Sequence, residues 1–180
     1  MNDVCIPDLA VPRFENIDFS KVLTGPRRYL CLDLDNTLIT QYGMDFAPQV
    51  LEKLEEIRSW DQLKDICLVS NVIFPGRRVS RLRVLADKLK IKNVVPCYFF
   101  GRKPKPAPYR KALSLMNSQP EETVFVGDQI FTDIVGANRL GFYTIWLMDR
   151  MSADHWTTKM TGRRKKEDKI REVLKQRGLL

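Results

Sequence analysis

This chain lacks the residue patterns on which imidazole, paired-thiolate or membrane-spanning chemistry is built. His155 is its single histidine and has no part in the mechanism the other residues suggest. Its four cysteines, Cys5, Cys31, Cys67 and Cys97, are far apart and show no C-x-x-C spacing. Two of them sit in apolar runs, so they read as core residues rather than disulfide or zinc partners. No apolar stretch approaches the roughly 20 residues that cross a bilayer. The opening "MNDVCIPDLAVPRFENIDF" is acidic and proline-broken, unlike a charged-then-apolar export signal. A cytoplasmic or organelle-matrix protein is expected, able to sit peripherally on a membrane. Internal repeats, low-complexity segments and a G-x-x-x-x-G-K-[ST] phosphate loop are also lacking, which excludes solenoids and nucleotide cradling of that class.

What is present describes an ordinary folded protein. With 180 residues, 44% hydrophobic and 29% charged, the chain can bury a real core, and one globular unit is the default. The formal charge is +8, and the excess is local. Arg77, Arg78, Arg81 and Arg83 form one cluster, Arg102, Lys103, Lys105, Arg110 and Lys111 a second, and Arg163, Arg164, Lys165 and Lys166 a third. Such fields attract phosphate esters, lipid headgroups or nucleic acid, and charge alone does not choose among them.

The runs "RYLCLDL", "DICLVSN", "TVFVGD" and "YTIWLM" are short, nearly continuous in apolar residues and rich in branched or aromatic ones, as fully buried strands are. "KNVVPCYFF" supplies a fifth, which Pro96 pushes toward an edge. Between them, Val50, Leu51, Leu54 and Ile57, then Val79, Leu82, Leu85, Ala86 and Leu89, then Tyr109, Leu113 and Met116 recur at helical spacing. Strands alternating with helices predict parallel βαβ units. Residues 1–27 read as a loop segment, 28–150 as the core and 151–180 as a basic helical tail, packing on the core or extending from it. Ile170, Val173 and Leu174 give that tail a narrow apolar stripe, and Trp156 beside it offers an interfacial anchor or a packed indole.

In open α/β sheets ligands bind beyond the carboxyl ends of the strands. There this sequence places Asp33, Asp35 and Thr37 after the first run, Ser70 and Asn71 after the second, and Gly127, Asp128, Gln129, Thr132 and Asp133 after "TVFV"; Lys103 stands in "GRKPKP". Asp33, Asp35 and Asp128 meeting at one point would repel one another without a cation, and an all-oxygen set of this kind suits magnesium. With a hydroxyl at Ser70 and an ammonium at Lys103, the anion that fits is a phosphoryl group. Asp33 is the candidate nucleophile, carrying an aspartyl-phosphate intermediate. Asp35 is the candidate acid and base, protonating the leaving oxygen and then activating water. A calcium loop is excluded because Leu38 and Met44 occupy the positions that require glycine and a bidentate glutamate.

As a set these residues resemble the four signature motifs of the haloacid dehalogenase superfamily of phosphohydrolases over about residues 28–148: Asp33-x-Asp35-x-Thr37, Ser70, Lys103, and Gly127-Asp128 with Asp133. "DLDNTL", "SNV", "RKPKPAPYRKAL" and "VGDQIFTDIVGANRLGFYTI" resemble more closely the YqeG-type subgroup, similar to mitochondrial phosphatidylglycerophosphate phosphatases. The resemblance implies a three-layer, Rossmann-like α/β fold with a parallel sheet of strand order 5-4-1-2-3. It implies magnesium held by Asp33, the backbone carbonyl of Asp35, and Asp128, with Thr37, Ser70, Asn71 and Lys103 around the phosphoryl group and Gly127 and Asp133 in support. It also selects Lys103 over Lys105.

Only about 32 residues separate Thr37 from Ser70, and 23 separate Lys103 from Gly127, so no cap domain is expected. An open site admits bulky phosphoesters, and Arg77, Arg78 and Lys105 are expected near its entrance. The substrate implied by the resemblance is phosphatidylglycerophosphate, a membrane lipid. The alternatives are a nucleic-acid end or a soluble phosphometabolite, or a noncatalytic RNA- or ribosome-binding module.

Overall fold

The computed structural model describes residues 3–72, 76–149, 151–152, 163–176 and 178; His155 and Trp156 lie outside them. Six parallel strands form one sheet among the described residues: β1 (Leu9–Val11), β2 (Tyr29–Leu32), β3 (Asp65–Asn71), β4 (Asn93–Cys97), β5 (Thr123–Gly127) and β6 (Tyr143–Leu147). Their spatial order is β1-β6-β5-β2-β3-β4. Without β1 this is the expected 5-4-1-2-3 arrangement. β2 lies at the centre, with Cys31 opposite both Cys67 and Phe125. β4 forms the edge, where Pro96 pairs opposite Ser70 and its missing N–H costs no further partner.

The first 27 residues correct the loop reading. Leu9, Ala10 and Val11 pair with Ile145, Trp146 and Leu147, and Asp8 Oδ2 accepts a 2.7 Å bond from the Thr144 amide. Phe14, Ile17, Phe19, Val22 and Leu23 are buried in the main core. A three-residue strand flanked by Pro7 and Pro12 is too short to show a period, so only tertiary pairing reveals it.

The helices are α1 (Phe19–Val22), α2 (Pro48–Arg58), α3 (Arg77–Lys88), α4 (Pro106–Met116), α5 (Val135–Asn138) and α6 (Arg163–Gln176). Proline opens α2 and α4, where its fixed φ suits the first turn and the lost donor would be unbonded anyway. α2 buries Val50, Leu54 and Ile57, and α3 buries Leu82, Leu85 and Ala86, both in the core cluster on one face of the sheet. α4 buries Tyr109, Ala112 and Met116 with Cys31, Cys67, Cys97 and Phe125 in a second cluster. Ile170 and Leu174 of α6 pack with Ile130, Ile134, Val135 and Trp146. All four cysteines are free thiols; three are buried and Cys5 is half-buried.

Between Thr37 and Ser70 lie a loop, α2 and most of β3, and between Lys103 and Gly127 lie α4, a short 3-10 turn and most of β5. Neither stretch contains a cap domain. No helix among the described residues is long and apolar enough to cross a membrane.

Candidate active site

The strand ends gather the acids. The Asp33 amide donates 2.9 Å to the Val126 carbonyl, extending the β2–β5 ladder by one residue and fixing the carboxylate at the mouth of the sheet. The chain then turns: the Leu38 amide bonds to the Leu34 carbonyl and Asn36 N to Ile39 O, with Asn36 at φ 63°, a left-handed conformation that asparagine tolerates. Thr37 Oγ1 lies inside this turn and donates to Asp33 Oδ2 at 3.3 Å. Thr37 is therefore placed to hold Asp33, and it does not line the cavity.

From β5, Gly127 leads to Asp128 and a single π-helical turn, Ile130–Ile134, which carries Asp133. A Cβ on Gly127 would fall 2.5 Å from the Asp133 Cβ, so only glycine permits this approach. The Gln129 amide donates to Asp133 Oδ2 at 3.0 Å, Trp146 Nε1 donates to the Asp128 carbonyl at 3.1 Å, and Tyr109 donates its hydroxyl to the Thr132 carbonyl.

Carboxylate oxygens of Asp33, Asp128 and Asp133 lie within 4.8 Å of one another, all three residues buried. This corrects one expectation. The converging side chains are those of residues 33, 128 and 133, because the Asp35 carboxylate turns to α3, where Arg81 Nη2 lies 2.8 Å from Asp35 Oδ1. The assignment of Asp35 to a metal through its backbone carbonyl does not depend on where its side chain points.

Lys103 enters this cluster almost fully buried. Its Nζ stands 2.6 Å from Asp33 Oδ1 and 2.7 Å from Asp133 Oδ1, above the Phe125 ring at 5.3 Å. Its backbone N–H is held by Asn71 Oδ1 at 3.0 Å, which links β3 to the lysine loop. Burial opposes the ammonium charge, but Asp133 and Asp33 overcome it and hold the group protonated well above its ordinary range. Burial pushes the Asp33 carboxyl up to about 7 against the pull of Lys103, with repulsion from Asp133 and Asp35 adding to the rise. Lys103 pairs with two of the three acids, and an all-oxygen donor set this close fits a small hard cation such as magnesium.

A cavity of about 130 Å³ opens over these groups, and Asp33, Asp35, Ser70, Asn71, Lys103 and Asp133 are among its lining. At about 30 Å³ per water it has room for a phosphoryl group with a little solvent. Its outer wall also carries Gln41, Tyr42, Arg78, Arg81 and Arg102, none of which the motif spacing had singled out for the site except Arg78. The signal for Arg81 was its place three residues after Arg78 on one helix face. Arg77 is exposed and does not line this cavity, and Lys105 lines a different one with Arg110 and Arg139. α3 turns Arg78 and Arg81 toward the cavity, while Lys105, expected at the entrance, reaches back to the Phe100 carbonyl at 2.8 Å instead.

Strand-end acids, a buried lysine and a hydroxyl around a capless phosphoryl-sized cavity are the features of a haloacid dehalogenase-type phosphatase. The chain belongs to the mitochondrial PGP phosphatase family, whose model matches residues 1–152. It is 28% identical over 173 residues to the protein of Bacillus subtilis described as probable phosphatase YqeG, covering 96% of this chain and 93% of that one. It is also 28% identical over 151 residues to the mitochondrial phosphatidylglycerophosphatase GEP4 of Saccharomyces cerevisiae, covering 81% and 79%. The fold is shared with a HAD-like protein of Mesorhizobium loti, at a TM-score of 0.53 and 18% identity over 82% of this chain and 78% of that one.

Proposed function

We propose that this phosphatase hydrolyses a phosphomonoester through a phosphorylated Asp33, with magnesium held by Asp33, Asp128 and the Asp35 carbonyl, and that its substrate is phosphatidylglycerophosphate. The observation that carries the chemistry is the three-acid cluster bridged by Lys103 at 2.6 and 2.7 Å. Bound magnesium would offset the repulsion between an anionic nucleophile and an anionic phosphoryl group.

One Asp33 oxygen attacks phosphorus in line while the bond to the alcohol oxygen breaks, and Asp35 gives that oxygen its proton. Water then attacks the phosphorus of the intermediate and surrenders a proton to Asp35. The bond to Asp33 breaks, freeing phosphate and restoring the carboxylate. Lys103 and the Ser70 hydroxyl would hold the non-bridging oxygens, while Thr37 and Asn71 keep Asp33 and Lys103 in place. Asp133 would anchor Lys103 and, through the Gln129 amide, the loop that carries Asp128.

For the substrate, support comes from the relatives described as acting on this lipid and from the open cationic mouth formed by Arg78, Arg81 and Arg102. A lipid substrate would bring the chain to a membrane face from the cytoplasm or an organelle matrix. The test is phosphate release with magnesium from phosphatidylglycerophosphate in mixed micelles, a soluble aryl phosphate and a 5′-phosphorylated oligonucleotide, for the natural chain and Asp33→Asn. The reading expects the lipid to exceed the others in kcat/KM by about tenfold or more, and Asp33→Asn to be inactive on all three. A lipid no better than the aryl phosphate removes the substrate assignment, and an active Asp33→Asn removes the nucleophile.

A further inference from the structure

Phe100 is the most exposed large apolar side chain among the described residues, at 83%. A lone exposed phenylalanine would mean little, because apolar atoms make up much of any protein surface. Its surroundings give it meaning. It stands on the 3-10 turn Phe99–Gly101, two residues before Arg102, which lines the catalytic cavity, and beside exposed Tyr98. Another part of the same cavity wall carries Tyr42, 54% exposed, and Met44 is exposed on the same loop. The remaining exposed large apolar groups, Leu51, Val84 and Leu115, ride on the separate helices α2, α3 and α4.

Positive charge lies close to two of these residues. The Arg78 guanidinium lies 5.5 Å from the centre of the Tyr42 ring and lines the cavity. Among the described residues no carboxylate pairs with it. Lys105 Nζ donates to the main-chain carbonyl of Phe100. Aromatic and thioether side chains projecting near the arginines of a phosphate-sized opening match a bilayer interface, where rings sit at headgroup depth and cations meet anionic phosphates.

We infer that the loops bearing Tyr42, Met44, Tyr98 and Phe100 form a docking rim for an anionic lipid surface, which seats the catalytic cavity facing the headgroups. The inference rests on the reading of a lipid phosphomonoester as substrate and extends it from the reacting group to the face that meets the membrane. Single-stranded nucleic acid also stacks on aromatic groups, but Met44 has no face for a base to stack on, whereas a lipid interface accepts it equally with the rings.

The test uses the full chain and needs no turnover. Cosedimentation at physiological ionic strength is measured with phosphatidylcholine vesicles, with vesicles containing about one-third phosphatidylglycerol, and with a single-stranded RNA oligonucleotide as competitor. Binding is expected to the anionic vesicles and not the neutral ones, to fall about tenfold in Phe100→Ser and further in Tyr98→Ser/Phe100→Ser, and to stay unchanged in Leu115→Ser. Thermal midpoints of the variants should match the natural chain, because these side chains are exposed. Binding that ignores Phe100, or RNA binding that depends on Phe100 without vesicle binding, would overturn the docking rim. Vesicle binding without hydrolysis of phosphatidylglycerophosphate would retire the substrate and keep the rim, while hydrolysis in micelles without vesicle binding would do the reverse.

Discussion

Arg81 holds Asp35: Nη2 of the arginine lies 2.8 Å from Oδ1 of the aspartate, while its Nε and Nη2 donate to the Gly43 carbonyl at 3.0 and 2.8 Å. One guanidinium on α3 thus fixes both the candidate acid–base group and the loop beyond it. Arg81→Met is expected to lower kcat/KM for a soluble aryl phosphate about tenfold, roughly 1.4 kcal/mol of lost transition-state stabilisation. Arg81→Lys should recover only part, since an ammonium lacks the planar fork that spans both partners. Steady-state kinetics on both variants check this, and an unchanged kcat/KM in Arg81→Met would count against the positioning role.

Removing either partner of the Lys103–Asp33 pair should have opposite effects on stability. Asp33→Asn should abolish turnover but leave Lys103 paired with Asp133, so the metal-free protein should be at least as stable as the natural one. Lys103→Met strands Asp33 and Asp133 without their cation, an uncompensated burial that typically costs about 3–5 kcal/mol. Urea unfolding without and with magnesium measures both, and the metal should restore part of what Lys103→Met loses. Equal midpoints for the two variants would contradict this electrostatic account.

Magnesium and a proton should compete at Asp33. Its carboxyl releases the proton near 7 in the folded, metal-free chain, whereas an unfolded aspartate does so near 4. Between those values the folded chain binds more protons, so this group's contribution to stability is present below about 4 and lost as pH rises through 7. Magnesium affinity should therefore increase from pH 5.5 to 8 and level off, with proton release on binding at the lower pH. Titration calorimetry in buffers of different ionisation enthalpy tests this; affinity independent of pH across that window would refute it.

Glu167 ties the C-terminal helix to the acid loop. Its carboxylate is buried and accepts a 2.8 Å bond from the Ile130 amide, two residues past Asp128. Glu167→Ala should weaken magnesium binding about tenfold, the usual scale for groups that orient ligands from behind, and destabilise the fold by about 1.5–3 kcal/mol. Glu167→Gln keeps an acceptor and should recover most of both. Calorimetric affinity and urea midpoints separate this from a purely packing role, in which stability alone would fall.

Much of this was legible from the chain. Continuous apolar runs ending in "DLDNT", "SN" and "VGD" identified the central strands and the acids at their ends, because a buried parallel strand must be apolar throughout and the first polar residue past it marks the sheet's mouth. β1 was not legible, since three residues cannot show a period. Nor was Glu167, one of two acids within the basic run "RRKKEDKI" that looks solvated until α6 docks.

The sequence by itself determined the five strands from residue 29 onward with the helices between them, the absence of a cap and the identity of the strand-end acids, all of which follow from local patterning and spacing. Only the tertiary structure decided which carboxylates meet. Asp133 joins Asp33 and Asp128 because Gly127 lets it approach and Lys103 draws it in, while Arg81, distant in sequence, turns the Asp35 side chain aside. Those choices depend on charges brought together by packing, which spacing along the chain does not encode.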